Sequence, residues 1–251
     1  MDSLLEKTKR VFLISNGVRI ANDSAFVEEL SKYRDKIEVY LQFDSLKSEN
    51  LLNIRGLDLK EVRLKAIENL DKYRINATLV CICKKGVNSL EMNSIIDFAL
   101  KYKYIRGITI QPLKFLGRGN TQDVEKHYIT LSDVRKEILN GNVFTSENLI
   151  PHFYNPENIC IGYYDKKRKE QVTLEMQENN LLQQSFFMTP QYSTDKHRYE
   201  DLFRVAIVSF FDRFSYNAKS VKQSAICFID REGNVIPQNT YYNFHRGSPR
   251  K

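Results

Sequence analysis

The sequence predicts an α/β protein in which parallel strands are joined by crossover helices, followed by an α+β extension. Two observations carry this prediction. Short apolar runs alternate with longer segments of helical periodicity up to about residue 119, and polar residues follow each run where a strand would end. Strand–helix–strand units of this spacing form parallel sheets, and sites in such sheets lie at the carboxyl ends of the strands.

Four strands are predicted in this first part, each a short apolar run that stops at turn-forming or polar residues. They cover Arg10–Gly17, Ile37–Leu46, Asn76–Cys83 and Gly107–Leu113. In the second strand, "VYLQFD" places Val39 and Leu41 on one face and Gln42 and Asp44 on the other. Packing alone does not require a glutamine and an aspartate together at the end of a buried strand. The pattern therefore favours a site at this edge.

Three helices are predicted between these strands. The first covers Asp23–Arg34, and its apolar residues recur at helical spacing. The second begins at an Asp58 N-cap and ends at Arg74. Asn88 and Glu91 stand three residues apart, which resembles a capping box opening the third helix.

The pattern changes near residue 120, which predicts two parts, residues 1–119 and residues 120–251. In the second part we expect a helix over Ser132–Asn140, a hairpin formed by "ICIGYY" and "QVTLEM", and a closing hairpin with Gly233 in its turn. Between the hairpins, "YEDLFRVAIVSFFDRF" is read as an amphipathic helix. Its inward residues would be Leu202, Val205, Ala206 and Phe210.

Composition narrows the classes of function. The formal net charge is +7, but the lysines and arginines are spread along the chain, so nucleic acid is not an expected partner. No apolar run has the length of a membrane span, and the first ten residues lack the apolar core of a signal peptide. The sequence predicts a cytoplasmic protein without a transmembrane segment.

The chain has four cysteines and no CxxC pair. Cys81 and Cys83 share one face of a predicted strand, while Cys160 and Cys227 stand apart. This spacing does not match a zinc site, and reduced thiols are the usual state in the cytoplasm. We therefore predict no metal site in this chain.

Several blocks of the sequence resemble a known superfamily. The succession "ISNGVRIA", "VYLQFDSL", "NIRGLDLKEVRLKAIENL", "ATLVCICKKGVN" and "IRGITIQPLKFLGRG" is similar to the later part of a radical S-adenosylmethionine (SAM) barrel. The resemblance is strongest to the archaeal tetraether-lipid synthases and their pterin-methylating relatives, and more distant to the molybdenum-cofactor biosynthesis protein A group. It implies that the α/β part is the carboxyl-terminal half of a partial TIM barrel.

The resemblance also implies a chemistry. Radical SAM proteins hold a [4Fe-4S] cluster in a CxxxCxxC loop, bind SAM to it and generate a 5′-deoxyadenosyl radical. The chain has no CxxxCxxC, so the cofactor expected here is SAM, with the cluster supplied by a missing segment or partner. A cluster-bearing amino-terminal half or subunit is the expected partner, and a small molecule or a lipid the expected substrate. The alternative is a non-catalytic remnant, or a regulatory or interaction module, of the same fold.

The resemblance finally implies roles for individual residues. Gln42 and Asp44 would face the SAM ribose, Arg55 the SAM carboxylate, and Gln111 with the Leu113 backbone the adenine. The substrate side would include Asn16, Gly17 and Arg118. Structural alternatives stay open: Asp44 as a turn former, Gln111 as a strand-end cap and Arg55 as a surface arginine. No residue is assigned as a catalytic base.

Overall fold

The structure is a computed structural model that describes residues 2–115, 124–153, 155–174, 196–212, 214–218, 221, 227–237 and 240–241. Within these residues a central sheet of eight strands is accompanied by a separate two-stranded hairpin. The sheet strands are β1 (Val11–Ser15), β2 (Ile37–Gln42), β3 (Ala77–Cys83), β4 (Ile105–Pro112), β5 (Ile150–Pro151), β6 (Ile159–Asp165), β7 (Glu170–Val172) and β8 (Leu202–Val208). The hairpin pairs β9 (Cys227–Ile229) with β10 (Val235–Pro237).

The strand order in the sheet is β1-β2-β3-β4-β8-β6-β5, with β7 paired to β6. Strands β1 to β4 and β8 are mutually parallel, and β6 runs antiparallel to β8. The predicted α/β fold of parallel strands with crossover helices is therefore confirmed. The strands after residue 120 join the same sheet, and residues 116–123 lie outside the described chain, so the predicted division into two parts stays a prediction.

The helices are α1 (Asp2–Leu5), α2 (Val18–Asn22), α3 (Ser24–Ser31), α4 (Ser48–Arg55), α5 (Lys60–Lys72), α6 (Met92–Leu100), α7 (Val124–His127) and α8 (Leu131–Leu139). The sequence missed α2 and α4, which lie directly after β1 and shortly after β2. None of the described helices combines the length and apolar character needed to cross a lipid bilayer.

One face of the sheet, which we call the helix face, packs against the crossover helices. Val39 and Leu41 of β2 share a buried cluster with Ile67 of α5, Ile96 of α6 and Val134 of α8. Alternation along each strand puts the other side chains on the second face. The strand registers place Ile14, Tyr40, Gln42, Val80, Ile82, Thr109 and Gln111 on that second face.

The predicted amphipathic helix over Tyr199–Phe214 is wrong, because its centre is strand β8. All seven residues of β8 are buried. A strand covered on both faces loses the alternation that normally identifies it and reads as a continuous apolar run. Its β-branched residues Val205, Ile207 and Val208 were the available signal.

The predicted hairpins are confirmed over the described residues, with β7 ending at Val172 and Glu175 and Met176 lying outside them. Strands β6 and β7 pair across a turn in which Lys169 has a φ of 56°. In the closing hairpin, Gly233 has a φ of 87°, a left-handed conformation that glycine adopts without strain.

Candidate functional site

The carboxyl ends of β1 to β4 meet at one edge of the sheet. The registers set Ser15 beside Leu41, Gln42 beside Val80, and Ile82 beside Gln111. Asn16 directly after β1, Gln42 at the end of β2 and Gln111 near the end of β4 therefore lie at the same edge. We call this region the strand-end site.

Asp44, two residues beyond β2, is fully buried at this edge. Arg55 of α4 donates to both of its oxygens, from Nε to Oδ2 at 2.8 Å and from Nη2 to Oδ1 at 3.0 Å. The backbone N–H of Ile82 also donates to Oδ1, at 3.0 Å. The carboxylate thus ties helix α4 to β3, and in this structure it faces protein donors rather than an open site.

Arg63 of α5 connects this carboxylate to Gln42. Its Nη1 lies 3.6 Å from Asp44 Oδ2, and its Nη2 donates to Gln42 Oε1 at 3.0 Å. The Arg63 side chain is 1% exposed, and this burial lowers the pKa of its guanidinium while the charge of Asp44 raises it. The hydrogen bond fixes the Gln42 carbonyl toward Arg63 and leaves its amide N–H groups directed elsewhere.

Two further buried side chains, Asn88 and Glu91, hold the segment that follows β2 in place. Asn88 Nδ2 donates to the backbone carbonyls of Asp44 at 2.7 Å and Ile82 at 2.6 Å. Glu91 accepts from the Ser45 hydroxyl at 2.6 Å and from the Asn50 side chain. The predicted capping box of Asn88 and Glu91 is therefore wrong, because both side chains bind the segment after β2 instead of the local helix end.

The residues predicted for the substrate side, Asn16, Gly17 and Arg118, differ from one another in their surroundings. Asn16 is exposed, and its Oδ1 accepts from the Val18 N–H at 3.2 Å. Gly17 is buried with a φ of 85°, and an added Cβ would lie 2.9 Å from Leu41 Cδ1. The backbone of Gly17 therefore lies close to the protein core. This contact and the positive φ account for a glycine at this position, whether or not a substrate lies beside it. Arg118 lies outside the described residues.

At the end of β4, Gln111 and Leu113 are half-buried. The Leu113 N–H donates to the Cys83 carbonyl at 2.8 Å, so its backbone carbonyl is the group left to meet a ligand. The side-chain amide of Gln111 makes no hydrogen bond to any described residue. Its donors and acceptor are therefore available at the strand end.

Between the two glutamines lies an apolar surface that the sequence did not indicate. Val80 and Ile82, the second-face residues of β3, are half-buried although β3 is a central strand. From strand spacing, the α-carbons of Gln42 and Gln111 are roughly 12 Å apart across them. A flat apolar floor with an amide at each end suits a nucleoside, whose ring stacks on apolar atoms and whose polar edges need donors and acceptors.

The thiols do not suit an iron–sulfur cluster. Cys81, Cys83 and Cys160 are buried and Cys227 is exposed. Burial raises the pKa of Cys81 well above its usual value and that of Cys83 to about 12, which keeps both thiols protonated. Among the described residues, no three histidine, cysteine or acidic side chains come together as metal ligands.

Comparison with known proteins supplies one informative relative. The chain is 32% identical over 148 residues to the 7,8-dihydro-6-hydroxymethylpterin dimethyltransferase of Methanocaldococcus jannaschii, a match covering 56% of this chain and 28% of that protein. The predicted resemblance to the pterin-methylating group of the radical SAM superfamily is confirmed by this match. The chain spans less than a third of that relative. No family model matches the chain.

Two solved structures show weaker likeness. One is native anSMEcpe with bound AdoMet and the Cp18Cys peptide, 18% identical, with a TM-score of 0.37 over 52% of this chain and 35% of that one. The other holds AdoMet and the Kp18Cys peptide, is 15% identical, and has a TM-score of 0.38 over 73% of this chain and 58% of that one. At these scores we draw no conclusion about the site from them.

Proposed function

We propose that the chain is the SAM- and substrate-binding portion of a radical SAM enzyme, and that the strand-end site holds the adenosine part of SAM. The observation that carries the proposal is the half-exposed floor of Val80 and Ile82 between Gln42 and Gln111. Sequence similarity to a pterin dimethyltransferase supports the choice of SAM as the ligand. SAM, bound to a reduced cluster, is the source of a 5′-deoxyadenosyl radical in this superfamily.

In this proposal the chain's own residues bind and orient the nucleoside. Val80 and Ile82 contact the face of the adenine, and Gln111 with the Leu113 carbonyl contacts its polar edge. Gln42 donates its amide N–H groups to ribose oxygens, because its carbonyl is held by Arg63. Asp44 is a positioning residue that fixes Arg55 and Arg63 and has no oxygen turned to the ligand.

Arg55 retains a possible direct role. Its Nε and Nη2 are used by Asp44, but its side chain is 29% exposed. The remaining guanidinium N–H groups can donate to a carboxylate, and the role predicted for Arg55 toward the SAM carboxylate is kept as part of the proposal.

The cluster belongs to a separate segment or partner in this proposal, because the four cysteines do not form its site. Strand β1 is a fitting place for that partner. It ends the sheet with no described strand on its outer side, and Ile14 of its second face is 89% exposed. Unpaired parallel edges accept a further strand, and an apolar side chain beside such an edge gains by being covered. The buried thiols fit a reducing cytoplasm.

The test is equilibrium dialysis of labelled SAM at millimolar concentration, where weak binding is measurable. We expect binding by the chain and a two- to tenfold loss of affinity in Gln111→Ala, the usual effect of one hydrogen bond. Gln171→Ala, on β7 and away from the strand-end site, is the matched control and should bind like the parent chain. Absence of binding by the parent chain would favour the non-catalytic module instead.

A further inference from the structure

A cavity separate from the strand-end site lies beside α8 and plays no part in the proposed function. Its volume is about 630 Å³, within the range of about 300–1,000 Å³ typical of small-molecule sites. It is lined by Lys114 after β4, Ser209 after β8, Cys160 of β6, and Arg135 of α8. We call it the α8 cavity.

The α8 cavity is separate from the strand-end site. Cys160, which lines it, belongs to the buried cluster that also contains Val134 of α8, so this wall lies on the helix face of the sheet. Gln42 and Gln111 lie on the second face, and neither lines the cavity. A ligand of one site therefore does not occupy the other.

Among the residues that the structure describes, two cations line the α8 cavity. Lys114 Nζ donates to the Tyr128 hydroxyl at 3.1 Å and lies 4.8 Å from the centre of its ring. An ammonium has three N–H groups, so this bond leaves donors for a ligand. Arg135 donates from Nε to the Leu149 carbonyl at 2.8 Å and from Nη2 to the Ser146 carbonyl at 2.9 Å, which holds its guanidinium in place.

The acidic groups nearby are already engaged. Glu157, which also lines the cavity, accepts from Asn217 Nδ2 at 3.1 Å. Asp133, in the first turn of α8, accepts from the Thr130 N–H and hydroxyl in a capping box. The Asp133 carboxylate already meets the positive end of the helix. Glu157 keeps its negative charge, so the anion of a ligand would be attracted to Lys114 and Arg135 and repelled by Glu157.

The rest of the lining suits a flat, partly apolar molecule. Tyr128 and Phe211 offer aromatic rings, and Pro151 and Pro156 add apolar surface. Ser209 adds a hydroxyl that can donate or accept, whereas the Ser215 hydroxyl already donates to Asp212.

The walls are held together before any ligand binds. Asp212, fully buried, accepts from the backbone N–H of Phe115 at 3.2 Å and of Phe214 at 3.0 Å. It also accepts from the Ser215 hydroxyl at 2.9 Å. This carboxylate ties the segment after β4 to the segment after β8. Ligand binding therefore does not carry the entropy cost of ordering these two segments.

We propose that the α8 cavity binds a small aromatic molecule that carries a phosphate or carboxylate group. The anion is bound by Lys114 and Arg135, and the ring lies against Tyr128 and Phe211. Binding at this site does not require SAM. The proposal can therefore be confirmed or refuted independently of the proposed function.

The experiment is a titration of the whole chain with phenyl phosphate, followed by ligand-observed NMR, with benzoate, phenol and inorganic phosphate as separate arms. We expect phenyl phosphate or benzoate to bind more tightly than phenol or phosphate alone, and the tighter of the two identifies the anion. Lys114→Met should weaken binding about tenfold, the value of one charge-assisted hydrogen bond. Ser132→Trp, at an exposed lining position, should block the cavity without disturbing the fold.

Lys72→Met is the matched control, because Lys72 also lies over a tyrosine ring, at 5.5 Å from the centre of Tyr73, but lines no part of this cavity. It should bind phenyl phosphate like the parent chain. Binding by neither aromatic anion, or binding that Lys114→Met and Ser132→Trp both leave unchanged, would overturn the proposal.

Discussion

The two ends of the parallel strands both carry buried charge, but they use it differently. At the amino ends, Glu38 accepts from the Thr78 hydroxyl at 2.6 Å and from Arg10 at 3.3 Å. Arg10 also donates to the Tyr199 hydroxyl at 2.7 Å, which joins the extension to the sheet. Glu38, Thr78 and Tyr199 are all buried. At this end the buried polar groups bind one another, and they join the sheet to the extension.

At the carboxyl ends, the buried charge supports side chains that remain accessible. Asp44 is as deeply buried as Glu38, yet the arginine it binds holds Gln42, which is half-exposed. Val80, Ile82 and Gln111 are accessible to a similar degree. Buried ion pairs therefore do not by themselves distinguish the two ends. The distinguishing feature is the accessible surface that such a pair positions.

The largest expected effect is the loss of the Asp44 carboxylate. Asp44→Ala leaves the buried Arg63 without its ion-pair partner and the Ile82 N–H unpaired, and breaking a buried pair in this way costs about 3–5 kcal/mol. Urea denaturation should show that decrease in the free energy of unfolding. Asp97→Ala, at an exposed position of α6, is the matched control and should change stability by less than about 0.5 kcal/mol. A stable Asp44→Ala protein would contradict the support assigned to this residue.

A smaller loss is expected at the amino ends, with a different functional consequence. Glu38→Gln removes the charge that Arg10 and Thr78 meet, and should lower the free energy of unfolding by about 1.5–3 kcal/mol, as for a hydrogen bond to a charged group. SAM affinity, measured by equilibrium dialysis, should be unchanged. A loss of SAM binding in the folded variant would remove the distinction between the two ends.

A third prediction concerns the order of thiol reactivity. Alkylation with iodoacetamide at pH 8, followed by mass spectrometry, should modify exposed Cys227 first. Cys83, with its pKa raised to about 12 by burial, and Cys160, with its pKa raised to about 11, should react only after unfolding. Fast modification of Cys83 in the native protein would show that β3 is less covered than described.

The smallest effect is a dependence of stability on pH at the amino ends. Asp165 is buried, which raises its pKa, but hydrogen bonds from His197 and the Arg168 N–H outweigh this and leave the pKa lowered. A lowered carboxyl pKa in the folded state stabilises the protein above the unfolded value of about 3.9, and this stabilisation is lost as pH falls through the folded pKa. The stability gap between the parent chain and Asp165→Asn should therefore be largest near pH 7 and narrow below pH 4. A gap that widens in acid would contradict this.

The sequence was sufficient for the first four strands because each is an apolar run that ends at a polar turn. It failed at β8, where burial on both faces removes the alternation. It predicted that Gln42 and Gln111 share one edge of the sheet, since parallel strands end together, and the registers place them there. The contacts of the segment after β2 were hidden, because Arg63 and Asn88 reach Asp44, and Glu91 reaches Ser45, only through tertiary packing. The substrate role of Gly17 stays a prediction, and its closeness to Leu41 already accounts for a glycine at this position.

The most direct test of the strand-end site is a methyl NMR titration of the chain with SAM, which detects weak binding and reports its position. We predict shifts in the methyl signals of Val80 and Ile82, with Ile67 and Ile96 of the helix face unaffected. Methyl shifts confined to the helix face, or none at millimolar SAM, would contradict the claim that this edge of the sheet holds the nucleoside.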